Sequence, residues 1–277
     1  MKLGSNDISA VKIGSTDVNK IYIGSTEVWS SMDADYRAIL DYATSQGYTL
    51  PSESQRLLQE QLVIDLKDAG IWNKLDTFAV FATDGDSDFA LIDWIRLTDY
   101  TVVNSPTFVS NLGYLGDGVT ACIATGLNLR NSGLNWSDTN GGIIGGYFYE
   151  MGTSGLYKVG TGGDTYLRDR RQPRVDVKMA SSTIKVYVTS NPIIGNLAEI
   201  RINSTQISLY NNATILQDGV GLNADSNSGL DLTFLAYSNT GFESDDSGIS
   251  IGYAGGIKTD SDYLALNTAT QNYISEL

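Results

Sequence analysis

The sequence predicts a mainly β protein: an antiparallel sandwich with a C-terminal helix, preceded by a helical hairpin and a short N-terminal β-meander. Three observations predict it. From Leu75 to Gly256 the segments alternate polar and apolar residues or are rich in β-branched and aromatic ones, with Gly, Asn, Asp and Ser clusters between them. They follow one another too closely for helices to intervene, which favours antiparallel pairing over βαβ units. Residues 32–69 place their apolar side chains at helical spacing instead, and residues 2–31 repeat one phrase of ten residues three times.

The repeat reads KLGSNDISAV, KIGSTDVNKI, YIGSTEVWSS. Glycine recurs at Gly4, Gly14 and Gly24, each followed by serine. An acid stands three positions past it (Asp7, Asp17, Glu27), then a β-branched residue (Ile8, Val18, Val28). Each unit reads as a short apolar strand joined to the next by a Gly-Ser turn, where glycine supplies torsion angles that other residues resist. A meander this small cannot bury its own apolar side chains. Val11, Ile13, Ile21, Ile23 and Trp29 therefore need cover from a larger partner or from sister chains, which a homotrimer or other homo-oligomer would supply. The segment reads as an attachment element.

Tyr36, Ile39, Leu40 and Ala43 mark the first helix, closed by Gly47 as its C-cap. Ser52 caps the second, with Gln55 three residues on to complete a capping box. Its apolar stripe runs Leu57, Leu58, Leu62, Leu66 and Ala69. Ile71 and Trp72 follow Gly70 and are expected to anchor the hairpin on the next domain. Strands are expected at 77–83, 88–97, 121–125, 141–150, 174–179, 183–189, 199–212, 230–238 and 248–256. Tyr263, Leu266, Ala269 and Tyr273 share one face of a helix in the tail from Asp260. The expected organisation is an attachment and oligomerisation segment over 1–31, a helical neck over 32–74 and the sandwich over 75–277.

Composition removes several functions. Formal charge is −14, from 18 basic and 32 acidic residues, so the surface repels nucleic acid backbone and anionic lipid. Neither nucleic-acid binding nor membrane insertion is expected. No apolar run is long enough to cross a bilayer, and glycine and acids break the start before a signal-peptide apolar region forms. The single cysteine, Cys122, forbids an internal disulfide, and its setting in VTACIATG is that of a core residue. Histidine is absent, which removes the commonest general base, the commonest zinc ligand and every Ser-His-Asp or Cys-His arrangement. Glycoside hydrolysis by a carboxylate pair would need alternating acids along one strand. No Glu-x-Asp-x-Glu strand occurs, and Glu150 and Glu199 stand alone. The chain is not expected to be an enzyme or to hold a resident cofactor.

A few places still carry binding chemistry. Asp84, Asp86 and Asp88 alternate in one loop, as oxygen ligation of calcium requires. The EF-hand template fails there, because Phe89 and Ile95 hold the positions of its glycine and glutamate. The plainer reading is a β-turn whose acids accept its own backbone amides. Glu243, Asp245 and Asp246 read as a flexible surface loop. Arg168, Arg170, Arg171, Arg174 and Lys178 are the one concentration of positive charge. They form either an anion or acidic-polysaccharide site or ion pairs with Asp169, Asp176 and other acids. Sugar binding wants aromatic platforms beside amides and carboxylates. Trp136 in LNWSDTN and the run Tyr147-Phe148-Tyr149 are the candidates, set against a core role for each.

The phrases TFAVFATDGDSDFALIDW, NSPTFVSNLGYLGDGVTACIATGLN, RINSTQISLYNNATIL, GLDLTFLAYS and GISIGYAGGIKT run from about Leu75 toward the terminal helix. Together they resemble the concanavalin A-like, or laminin-G-like, sandwich modules (jelly-roll type) of structural proteins of tailed phages. The Gly116-Asp117-Gly118 turn before a strand looks especially like them, and the Gly-Ser-Thr decapeptides look like N-terminal repeats of phage tail and fibre proteins. The resemblance implies a virion protein, made in the bacterial host cytoplasm: a projecting tail fibre or spike. Residues 1–31 would fasten it to other virion proteins, and the sandwich would adhere to host-surface glycan. A capsid or tail decoration, or a head fibre, with a purely architectural role is the alternative. A polysaccharide depolymerase is the third, disfavoured by the missing paired acids. The fold does not choose among them.

Overall fold

The computed structural model describes residues 2–3, 6–7, 11–13, 16–18, 20–23, 26–30, 32–131, 133–137, 141–163, 165–169, 174–179, 185–188, 194–221, 231–238 and 243–277. Its helices are α1 (Ala34–Gln46), α2 (Glu53–Asp68) and α3 (Asp260–Ser275). The strands of the sandwich are β1 (Leu75–Val80), β2 (Thr101–Val103), β3 (Thr107–Val109), β4 (Gly113–Leu115), β5 (Cys122–Asn128), β6 (Gly142–Glu150), β7 (Tyr157–Gly160), β8 (Thr165–Asp169), β9 (Arg174–Met179), β10 (Lys185–Val188), β11 (Gly195–Asn203), β12 (Gln206–Asn211), β13 (Thr214–Gly221), β14 (Asp231–Phe234) and β15 (Gly248–Gly255). The first sheet runs β3-β4-β15-β6-β11-β12-β13, with β1 also paired to β15; the second runs β2-β5-β14-β7-β8-β9-β10. All these pairings are antiparallel, as short links without helices demand.

The first sheet is apolar on both faces because its strands carry apolar side chains at successive positions. On β1, Ala79 packs between the sheets while Phe78 and Val80 face the helices. Ile144 and Ile143 of β6 divide in the same way, as do Leu197 and Ala198 of β11. Tyr36, Ile39, Leu62, Leu66, Tyr263 and Leu266 of the helices join Phe78, Ile251 and Tyr253 of the sheet in one apolar cluster. The result is three layers, helix on sheet on sheet. The predicted fold class, an antiparallel sandwich with a helical hairpin before it and a helix after it, is the observed one. Ile71 and Trp72 are buried in that cluster, so the expected boundary at residue 74 falls inside it. Cys122 is buried in β5, as its apolar setting implied.

Several elements depart from expectation, among them α2, the segment 88–97 and the segment 199–212, which is two strands, β11 and β12. The buried face of α2 is rotated: Leu57 is 60% exposed and Ala69 is exposed, while Val63 is buried. Its N-terminal half buries Gln55 and Gln59 instead, because the groups beneath are polar. Gln59 accepts from the Tyr36 hydroxyl (2.7 Å) and donates to Thr83 Oγ1 and Tyr273 Oη (3.3 Å each). Gln55 accepts from Thr83 Oγ1 (2.9 Å) and from the Asp84 amide, and donates to Asn111 Oδ1 (2.9 Å). The capping box is therefore half formed. Ser52 Oγ accepts from the Gln55 amide (3.3 Å), but the Ser52 amide donates to Asp84 Oδ1 (2.9 Å) rather than to Gln55. The strand expected over 88–97 becomes a 3-10 turn (Phe89–Leu91) and a two-residue strand (Ile92–Asp93). Asp93 is the reason: its Oδ1 collects the Ile95 and Arg96 amides (2.9 and 3.2 Å) and folds the chain back.

The N-terminal meander resolves into hairpins. Lys2–Leu3 pairs with Asn6–Asp7, Val11–Ile13 with Thr16–Val18, and Lys20–Ile23 with Thr26–Ser30. The described segments thus pair as three separate two-stranded ribbons rather than as one continuous meander. Val11 faces Val18 across its ladder and Ile21 faces Trp29. The side-chain surroundings of Ile13, Ile21, Ile23 and Trp29 lie outside the described residues.

Close approach and burial in the sandwich generate two tests. Gly252 of β15 passes beneath Phe234 of the opposite sheet, and a Cβ there would lie 2.6 Å from Phe234 Cζ. Gly252→Val is expected to destabilise by about 1–3 kcal/mol, read as a lower urea midpoint at unchanged slope. Glu199 of β11 faces the interior between Ile144 and Leu209, fully buried, with neither carboxylate oxygen hydrogen-bonded. Burial pushes its carboxyl well above the ordinary 4.5, against an opposing pull from Arg201. The folded state then keeps a proton that the unfolded chain releases, so stability is full below the ordinary value and falls as pH rises toward the folded one. Glu199→Gln is expected to match the parent at acid pH and to exceed it increasingly at neutral and alkaline pH. Urea midpoints across that range check it, and a difference independent of pH would refute it.

Candidate functional site

The helices and the second sheet cover the middle strands of the first sheet, and among the described residues the outer side of the second sheet carries a pattern of aromatic and charged side chains. Leu167 of β8 and Val175 of β9 point into the inter-sheet core, so side-chain alternation sends Tyr166, Arg168, Asp176 and Lys178 outward. Register places Tyr166 opposite Lys178 and Arg168 opposite Asp176. A β-bulge between Tyr157 and Val159 pairs Tyr157 with Arg168 on this outer face. The extra residue, Lys158, turns inward: its Nζ reaches Ser247 Oγ, lies 3.9 Å from Asp245 Oδ1 and sits 4.8 Å from the Phe148 ring centroid.

Three tyrosines close on one another on this face. Ring centroids of Tyr157 and Tyr166 are 4.9 Å apart and edge-on, those of Tyr157 and Tyr237 4.6 Å, and those of Tyr166 and Tyr237 5.9 Å. Tyr237 comes from the segment after β14, held by its hydroxyl on Gly163 O (3.2 Å). The Arg168 guanidinium carbon lies 4.6 Å from the Tyr157 ring centroid. Its Nη1 donates to the Tyr157 hydroxyl (3.2 Å) and its Nε to Gly155 O (3.4 Å). Burial, aided by Tyr157 and the Asp176 carboxylate, pushes the Tyr166 hydroxyl above its ordinary range, so it stays protonated. Tyr157 and Tyr166 are only 7% and 5% exposed, whereas Arg168, Lys178 and Tyr237 are half-buried. Arg168 makes no ion pair with a described carboxylate, although Asp176 is its register partner. The arrangement fixes a planar cation and its donors at the surface.

The other expected site residues fall elsewhere. Asp84 and Asp86 serve backbone amides: Asp84 Oδ1 accepts from Ser52 N (2.9 Å), and Asp86 accepts from Thr49 N (2.7 Å) and Phe89 N (2.8 Å). Asp84 and Asp86 thus tie the helical hairpin to the loop that follows β1. Among the described residues no group of three or more His, Cys, Asp and Glu is gathered for a metal. Trp136, a candidate sugar platform set against a core role, is a core residue, 4% exposed and packed between the sheets; its amide donates to Asp76 Oδ2 (2.8 Å). Phe148 is likewise interior.

The acids expected in a flexible loop are structural. Asp245 is buried against Lys158 and accepts from Ser247 N (2.7 Å). Asp246 accepts from Ser154 N (2.8 Å) and Thr153 Oγ1 (2.7 Å). Although burial raises it, those bonds hold the Asp246 carboxyl below the usual range. A pocket of about 290 Å³ beside α1 does gather Trp72, Trp94, Asn73 and Asp35. Both indoles are buried there and Asp35 is ion-paired to Lys67 (2.8 Å), so no ring face is offered. Of the cationic run, Arg170 and Arg171 lie outside the described residues, as does the side chain of Arg174. The tyrosine cluster went unnoticed in the sequence, though alternation in Thr165-Tyr-Leu-Arg-Asp169 and Val175-Asp-Val-Lys178 carries its signal.

No protein-family model matches the chain, and no curated protein matches it. Among solved structures, a mutant of Trypanosoma rangeli sialidase displaying trans-sialidase activity is similar at 12% identity and a TM-score of 0.52, over 79% of this chain and 39% of that one. Trypanosoma rangeli sialidase in complex with sialic acid matches at 14% identity and 0.48, over 79% and 39%. The binding domain of botulinum neurotoxin serotype D matches at 10% identity and 0.49, over 73% and 52%. The chain spans less than half the length of the sialidase chains. At such identities the first likeness shows the fold alone, a β-sandwich. Among the described residues no helix is long and apolar enough to cross a membrane.

Proposed function

We propose that the chain is a non-enzymatic virion protein of a tailed phage, fastened to its particle through residues 1–31 and adhering to host-surface glycan through the outer face of the second sheet. The observation that carries adhesion is Arg168, half-buried and held by the Tyr157 ring, the Tyr157 hydroxyl and the Gly155 carbonyl. Attachment is supported by the N-terminal ribbons. Two-stranded hairpins with strands of 2 to 5 residues are marginal alone and need a surface to cover them. A sister chain in a homo-oligomer, or another virion protein, would provide one.

A depolymerase is poorly supported. Glu199 is sealed between the sheets, and Asp84, Asp86 and Asp246 are committed to amides and hydroxyls. A purely architectural decoration or head-fibre role is the second reading. The burial of Tyr157 and Tyr166 favours it, since a face that closes on itself needs no ligand.

Fluorescently labelled full-length protein is expected to stain cells of the bacterial host, and Arg168→Ala to weaken staining by about tenfold with the urea midpoint little changed. Cells left unstained by the parent protein would decide for the architectural reading. In light scattering the parent is expected at a multiple of 29.9 kDa, and Ile21→Asp combined with Trp29→Asp at a lower multiple. A single-chain mass for the parent protein would remove the homo-oligomer.

A further inference from the structure

We infer that the glycan taken by this face is acidic, a polysaccharide bearing carboxylates, and that Arg168 receives them; the inference rests on the adhesion reading above. Neutral sugars are held largely by stacking on open aromatic faces and by hydrogen bonds from amides and carboxylates. Here the rings are spent on each other. Tyr157 and Tyr166 are more than nine-tenths buried, and the Tyr157 ring lies under the Arg168 guanidinium. What the face presents to solvent is the half-buried set Arg168, Lys178 and Tyr237.

Arg168 is built to meet an anion. Its Nε and Nη1 are taken by Gly155 O and Tyr157 Oη, whereas its Nη2 has no acceptor among the described residues. No described carboxylate pairs with it, in a chain where acids outnumber bases 32 to 18. A guanidinium already fixed by stacking loses little freedom on gaining a carboxylate, and the planar donor edge suits one. Lys178, opposite Tyr166 in the register of β8 and β9, adds a second cation to the same side. Asp176, buried on this face, limits how much negative charge the site tolerates. Singly charged carboxylates spaced along a polymer therefore suit it better than a phosphomonoester.

The test uses full-length protein on a biosensor against polygalacturonate, alginate and hyaluronate, each beside its methyl-esterified form, which keeps the sugars and removes the charge. Binding to at least one acid form is expected, with its ester weaker by about tenfold or more. Arg168→Gln should bring the two forms level. Arg168→Lys, which keeps the charge, should retain part of the preference, and a near-parental urea midpoint for either variant shows that it folds. An ester bound as well as its acid form would overturn the acidic class and leave glycan adhesion standing. Binding to none of the polymers would overturn the inference too, while staining of host cells reports on adhesion by itself.

Discussion

Burial of the middle of the first sheet on both of its faces is the constraint on which the rest of the molecule depends. β15 runs through that sheet with all its residues from Gly248 to Gly255 buried, flanked by β6 on one edge and by β1 and β4 on the other. A strand so placed has no access to water, so its neighbours must satisfy every polar group and leave room for the backbone. The helix layer does the first. Asn196 Nδ2 donates to Asn267 Oδ1 (3.0 Å) and Thr270 Oγ1 (2.9 Å) of α3, and the Tyr253 hydroxyl donates to Asn196 Oδ1 (3.4 Å). Glycine does the second. At Gly145 a Cβ would come within 2.5 Å of the Leu197 carbonyl oxygen.

The same constraint decides which side chains the second sheet turns outward. Among the described residues the outer face of the second sheet carries polar pattern, and the interior sets that pattern. Leu167 and Val175 must point inward, which leaves Tyr166, Arg168, Asp176 and Lys178 no other side. The bulge at Lys158 gives the edge of the cluster its position. It sends one residue inward to Ser247 and Asp245 and keeps Tyr157 beneath Arg168. The surface chemistry is in this sense a by-product of core packing, refined by a single inserted residue.

The parts legible in the sequence were those governed by period and by local capping. The helix ends at Gly47 and Ser52, the alternating strands, and the anchoring role of Ile71 and Trp72 follow from rules acting over a few residues. What was not legible depends on partners distant in the chain. Gln55 abandons the capping box because Thr83 and Asn111 offer it buried hydrogen bonds. Trp136 looked like a platform from its polar neighbours, but those neighbours face Asp76 across the fold and the ring faces the core. The tyrosine cluster joins residues 157, 166 and 237, and only the register of the second sheet brings them together.

The position of β15 has a consequence for how this protein comes into being. It is the last strand in the chain order described, yet it occupies the middle of the first sheet, between strands made long before it. Until residue 255 has left the ribosome, β6 on one side and β1 and β4 on the other present open hydrogen-bonding edges. The Tyr273 hydroxyl, which closes on Ala82 O (2.6 Å) across 191 positions, comes later still. Pairings of such sequence separation are slow to form, and the waiting edges invite association with other chains. A nascent chain of this design exposes those edges during synthesis, and the two halves of the first sheet join only when the central strand is in place.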